Sequence, residues 1–171
     1  MTRAVKSENV STGKRPRQRR AQRNVVQLCI PSVLGWERVA VDLAASVARQ
    51  MGFPSERVED IKTAVSEATL NAIEHGNRLD ASEEVVIVLA PEAERLQIYV
   101  KDRSQMPLPQ PLEVSEPAQP LPAIEAKLEQ GARPRGWGVH LIRTLMDEVD
   151  FRSTERGNVV HMVIRLSRPE E

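Results

Sequence analysis

The chain has 171 residues, 40% of them hydrophobic, with 24 basic and 24 acidic side chains and a mean hydropathy of −0.39. That length fits one soluble domain; no apolar run approaches the ~20 residues of a membrane span, and no apolar segment follows the basic N-terminus as in a secretory signal. Cys29 is the single cysteine, so no internal disulfide forms and a reduced cytoplasm is the expected home.

The neutral total hides an asymmetry. Residues 1–24 hold eight basic residues against Glu8 alone, a net +7, and the remainder carries −7. With almost no large apolar side chain after Val10, this stretch reads as a disordered basic tail, and 25–171 as the folded domain. The tail is either a solvated extension or a contact for nucleic acid or an acidic partner surface.

In chain order, Val25 to Ile30 reads as a strand, with Cys29 expected as a small buried packing residue. Trp36 to Met51 carries Trp36, Val39, Ala40, Leu43, Ala44 and Val47 at helical spacing and ends at Gly52. Pro54 and Ser55 open the next helix, Ser55 being the expected N-cap. That helix runs to about His75 and stops at Gly76. It has two faces: Ile61, Val65, Ala68 and Ala72 form an apolar stripe, while Glu67, Asn71 and Glu74, at i, i+4 and i+7, form a polar one. Two carboxylates and an amide on one stripe are ligand types suited to Mg²⁺ and to a general base.

Glu84 to Leu89 and Leu96 to Lys101 read as strands around the turn 91–94. From Arg103 to Arg135 regular structure is not expected, because seven of the twelve prolines fall there; Ala123 to Gln130 fits one short helix. A loop of that length is either a lid over a ligand or an insertion, and the flanking motifs favour the lid. Gly138 to Met146 reads as a helix, and Val149 to Thr154 with Asn158 to Leu166 as a final hairpin around Glu155, Arg156 and Gly157. The order β-α-α-β-β-lid-α-β-β predicts a two-layer α/β sandwich with a mixed, mostly antiparallel sheet and helices on one face.

Two stretches are informative together: AVSEATLNAIEHGN from Ala64 to Asn77, and RGWGVHLIRTLMDEVDF from Arg135 to Phe151. In this order and spacing they resemble the ATP-binding fold shared by gyrase, heat-shock chaperone, histidine kinase and mismatch-repair ATPases, the GHKL or Bergerat type, over residues 25–166. Within it the chain most resembles the anti-sigma factor serine-protein kinases of bacterial stress and sporulation switches. Unlike a sensor histidine kinase, the stretch before Val25 is expected to hold no phosphoacceptor helix pair.

The resemblance implies that Asn71 holds Mg²⁺ against the triphosphate of ATP and that Glu67 orients or deprotonates the attacking hydroxyl. Glu74 and His75 extend the motif toward the nucleotide, and Asp102 accepts a hydrogen bond from the adenine amino group. Arg135, Gly136, Trp137, Gly138, Val139 and His140 form the lid end, where glycine lets N–H groups approach phosphate at a helix N-terminus. It further implies a cytoplasmic transcription regulator with a sigma factor and an anti-anti-sigma (STAS-type) protein as partners, and a possible homodimer. Two departures stand out: the family follows the aspartate with glycines, whereas here Arg103 and Ser104 follow Asp102, and Asn158 stands where a threonine usually supports the aspartate. A degenerate binding or switch protein of the same fold is the alternative function. A nucleic-acid binder using the tail ranks third, since the folded part is acidic and aromatics are few.

Overall fold

The computed structural model describes residues 24–104 and 137–167. The basic tail before Asn24, the expected helix at 123–130, most of the proline-rich stretch, and Arg135 and Gly136 lie outside the described residues.

β1 (Val26–Pro31) is followed by α1 (Glu37–Gln50) and α2 (Ser55–Asn71), a wide π turn (Ala72–Gly76), β2 (Glu84–Pro91), β3 (Arg95–Lys101), α3 (Trp137–Leu145), β4 (Glu148–Thr154) and β5 (Gly157–Arg165). Among the described residues the strands form one sheet in the order β1-β2-β3-β5-β4, and all four pairings are antiparallel. The two-layer α/β architecture expected from the order of elements is the one observed.

Alternation along the strands decides what the sheet buries. Ile30, Val85, Ile87, Leu89, Leu96, Ile98, Val100, Val160, Met162 and Ile164 face the helical layer and are buried. Fully burying each of the larger aliphatics contributes about 1.5–3 kcal/mol. The same alternation corrects the expectation for Cys29, which is exposed. It lies between Leu28 and Ile30, whose partners Ile87 and Val85 face the core, so its own side chain takes the outer face.

The helices meet the sheet through small residues. α1 buries Ala40, Ala44, Ala45 and Ala48, while Trp36 and Val39, expected on its apolar face, are 47% and 43% exposed. Alanines let α1 approach α2 closely, which leaves the larger residues at the edge of the contact. α1 ends in a Schellman arrangement: Gly52, at φ +86°, donates to Arg49 O at 3.0 Å, and Phe53 donates to Ala48 O at 3.1 Å. α2 begins one residue earlier than expected, with Pro54 in the N-cap position and Ser55 already helical. Its apolar stripe is as read, with Ile61, Val65, Ala68 and Ala72 all buried.

Candidate nucleotide site

Glu67 and Asn71 sit one turn apart on α2, both half-buried. The first turn of α3 rests on them. A Cβ built at Gly138 would lie 2.7 Å from Glu67 Oε2 and 3.4 Å from Asn71 Nδ2, so the helix reaches this pair because Gly138 has no side chain. Trp137 and Val139 are half-buried beside it, while His140 is exposed with its ring 6.1 Å from that of Trp137. The first turn of a helix presents amide N–H groups without intrahelical acceptors, which suits an anion.

α2 then changes geometry. Asn77 N donates to Ala72 O at 2.8 Å, an i→i+5 bond that closes the π turn. Glu74 lies within this widened turn, beyond the regular helix that carries Glu67 and Asn71. Glu74 and His75 are both exposed.

The turn ends at Gly76, against Asp102. A Cβ at Gly76 would lie 2.6 Å from Asp102 Cγ. Asp102, 8% exposed at the end of β3, is held from three directions. Its Oδ1 accepts from Ser104 N at 2.9 Å and from Asn158 N at 3.1 Å, and the Asn158 side chain also hydrogen-bonds to the carboxylate. Asn158 thus supports the aspartate with both main chain and side chain. Burial pushes the Asp102 carboxyl above its ordinary range, and the Asn158 and Ser104 hydrogen bonds pull it part of the way back. Any role as acceptor therefore weakens as pH falls through that raised value, sooner than for a solvated aspartate. The Arg103 side chain runs outward, 65% exposed and 3.8 Å from Glu83, so of the two residues that follow Asp102 only Ser104 bonds the carboxylate.

Gly157 completes this side. At φ +123°, it packs so closely that a Cβ would overlap Asp102 O and lie 2.9 Å from Arg103 Cα. Gly157→Ala combines a left-handed backbone with a steric clash, and should destabilise the fold by about 2–4 kcal/mol. Urea unfolding measures this; a loss below about 1 kcal/mol would show that the β3 end moves aside freely.

Two groups result: Gly138 against Glu67 and Asn71, and Gly76 and Asn158 against Asp102. Gly76 and Gly157 were legible in the sequence only as a helix stop and a hairpin turn; their packing on Asp102 needed the fold. Among the described residues no three His, Cys, Asp or Glu side chains group to cage an ion. A Mg²⁺ at Asn71 would take its remaining ligands from phosphate and water, as is usual for this ion.

The fold is that of an ATPase domain of the histidine-kinase type, and the model of the family "Histidine kinase-like ATPase domain" matches residues 33–164. The chain belongs to the serine-protein kinase family of that class, the anti-sigma family that its two motifs resemble. It is 33% identical over 129 residues to "Serine-protein kinase RsbW" of Oceanobacillus iheyensis, covering 75% of this chain and 78% of that one. To the protein of the same name from Bacillus cereus (strain Q1) it is 30% identical over 155 residues, covering 85% and 87%. A crystal structure of the RsbU and RsbW domains of Rv1364c from Mycobacterium tuberculosis shares the fold, with a TM-score of 0.59 and 20% identity. That match covers 85% of this chain and 33% of that longer protein.

Proposed function

We propose that this chain is an ATP-dependent serine-protein kinase that acts as an anti-sigma factor and phosphorylates a STAS-type anti-anti-sigma antagonist, freeing itself to hold a sigma factor. The observation that carries the reading is the contact of Gly138 with Glu67 and Asn71, which sets a carboxylate and an amide against the first turn of α3.

The roles follow from chemistry at those atoms. Asp102 accepts a hydrogen bond from the adenine amino group. The α3 amides donate to the phosphates, and the Asn71 side-chain oxygen is where the chain would hold Mg²⁺, which when bound neutralises triphosphate charge. Glu67 takes the proton of the attacking serine hydroxyl as the bond from its oxygen to the γ-phosphorus forms and the bond to the β-phosphate oxygen breaks, giving phosphoserine and ADP. The protein is proposed to work in the cytoplasm, consistent with the absence of any helix among the described residues long and apolar enough to cross a membrane. A homodimer is part of the same proposal.

The missing glycines after Asp102 favour a second reading, a switch protein of this fold with little phosphoryl transfer. Transfer of labelled γ-phosphate from Mg·ATP to a purified STAS-type protein from the same organism separates the two. The kinase reading expects serine labelling by wild type and none by Asn71→Ala; wild type that binds the antagonist without labelling it would favour the switch protein.

A further inference from the structure

Asn77, the residue after Gly76, is 6% exposed, and its side chain makes three hydrogen bonds to three separate parts of the chain. Nδ2 donates to Ser32 Oγ at 2.7 Å and to Glu84 O at 3.1 Å, and Oδ1 accepts from Arg103 N at 2.9 Å. Ser32 is itself fully buried at the end of β1. Only a side-chain amide both donates twice and accepts at this reach: aspartate lacks the donors and serine is too short. The two residues that follow, Arg78 and Leu79, are non-glycines at φ 55° and 61°, and Leu79 N bonds Ile73 O at 2.8 Å, so the main chain around Asn77 is tightly fixed.

We propose that Asn77 is a positioning residue for base recognition: by holding the Arg103 amide it fixes the backbone past Asp102 and so sets the orientation of that carboxylate. The linkage is short. Arg103 is anchored on Asn77, the next amide, Ser104 N, donates to Asp102 Oδ1, and the other side of the same carboxylate packs on Gly76, the residue before Asn77. One two-residue segment at the end of the helix bearing Glu67 and Asn71 thus touches both Asp102 and the backbone that orients it. Arg103 and Ser104 thus form a short segment that an outside anchor holds in place.

The proposal rests on the ATP-binding reading above, and the test separates the two. Calorimetric titrations with Mg·ATP and Mg·ITP compare adenine with hypoxanthine, which has a carbonyl oxygen in place of the amino group, so a fixed Asp102 carboxylate favours ATP. Wild type should prefer ATP by roughly tenfold or more, because the wrong base leaves a buried acceptor unsatisfied. Asn77→Ala should lose most of that preference through weaker ATP binding, with ITP affinity changed by less than about threefold, since the phosphate contacts are untouched. Arg103→Pro, which deletes the same amide donor at a residue whose side chain is exposed, should do likewise. A merely structural role would weaken both nucleotides alike. Wild-type preference kept by either folded variant overturns the proposal, and so does failure of both variants to fold, which assigns Asn77 to folding alone. Wild type that binds neither nucleotide overturns the ATP reading and this inference together.

Discussion

Glu67→Gln should reduce phosphoryl transfer to the antagonist by about 10²–10⁴-fold while leaving Mg·ATP affinity close to wild type. The substitution preserves size and shape in a position where Glu67 Oε2 is 2.7 Å from the space left by the missing Gly138 side chain, so α3 keeps its seat on α2. What is lost is the ability to take a proton. On the proposed reading binding depends instead on Asn71, the α3 amides and Asp102, none of which the change removes. Single-turnover transfer of labelled phosphate gives the rate, and calorimetry gives the affinity. Equal rates for wild type and variant would remove Glu67 from the chemistry, whereas a parallel collapse of rate and affinity would make it a binding residue.

Arg57→Ala should destabilise the protein by about 3–5 kcal/mol, the range found when one partner of a buried ion pair is deleted. Arg57 lies on the first turn of α2 with its side chain 7% exposed, and Nη2 is 2.7 Å from Asp147 Oδ2, whose side chain is 11% exposed. Arg57 Nη1 reaches Asp60 at 3.3 Å and the Leu145 carbonyl, the last residue of α3, also at 3.3 Å. Asp147 Oδ2 in turn accepts from Arg165 N on β5 at 2.6 Å. One guanidinium therefore ties α2 to the exit of α3 and to the sheet. Its removal strands the Asp147 carboxylate in a poorly solvated place and loosens the end of α3 opposite Gly138. Urea unfolding at neutral pH gives the size of the effect; a change under about 1 kcal/mol would mean water readily replaces the arginine.

Arg57 also marks where sequence reading stops. An arginine near a helix start looks like a solvated surface residue, and nothing local announces that Asp147, 90 positions later, will fold onto it. The features that were legible rest on short-range periodicity. The stripe of Ile61, Val65, Ala68 and Ala72 reports a face directly and is buried as read, and the strand read over Glu84 to Leu89 buries Val85, Ile87 and Leu89 by its alternation. The neighbourhood of Glu67, Asn71 and Gly138 was legible through the order of motifs rather than through any one residue. Features governed by tertiary packing were not: Cys29 faces outward because its neighbours claim the core, Trp36 and Val39 stay exposed because alanines make the α1–α2 contact, and Ser55 is displaced from the cap by Pro54. The π turn was not legible because one inserted residue leaves the apolar pattern intact; Glu74 and His75 lie in it and are exposed beyond the half-buried pair.

The proposed nucleotide site lies between α2, α3 and the end of β3, and isothermal calorimetric titration of the purified protein with ATP in the presence and absence of Mg²⁺ tests it most directly. The expected result is one saturable site per chain that is markedly weakened by leaving out Mg²⁺ and by Asn71→Ala. No binding heat from wild type at millimolar Mg·ATP, or binding that is indifferent to both Mg²⁺ and Asn71, would contradict it.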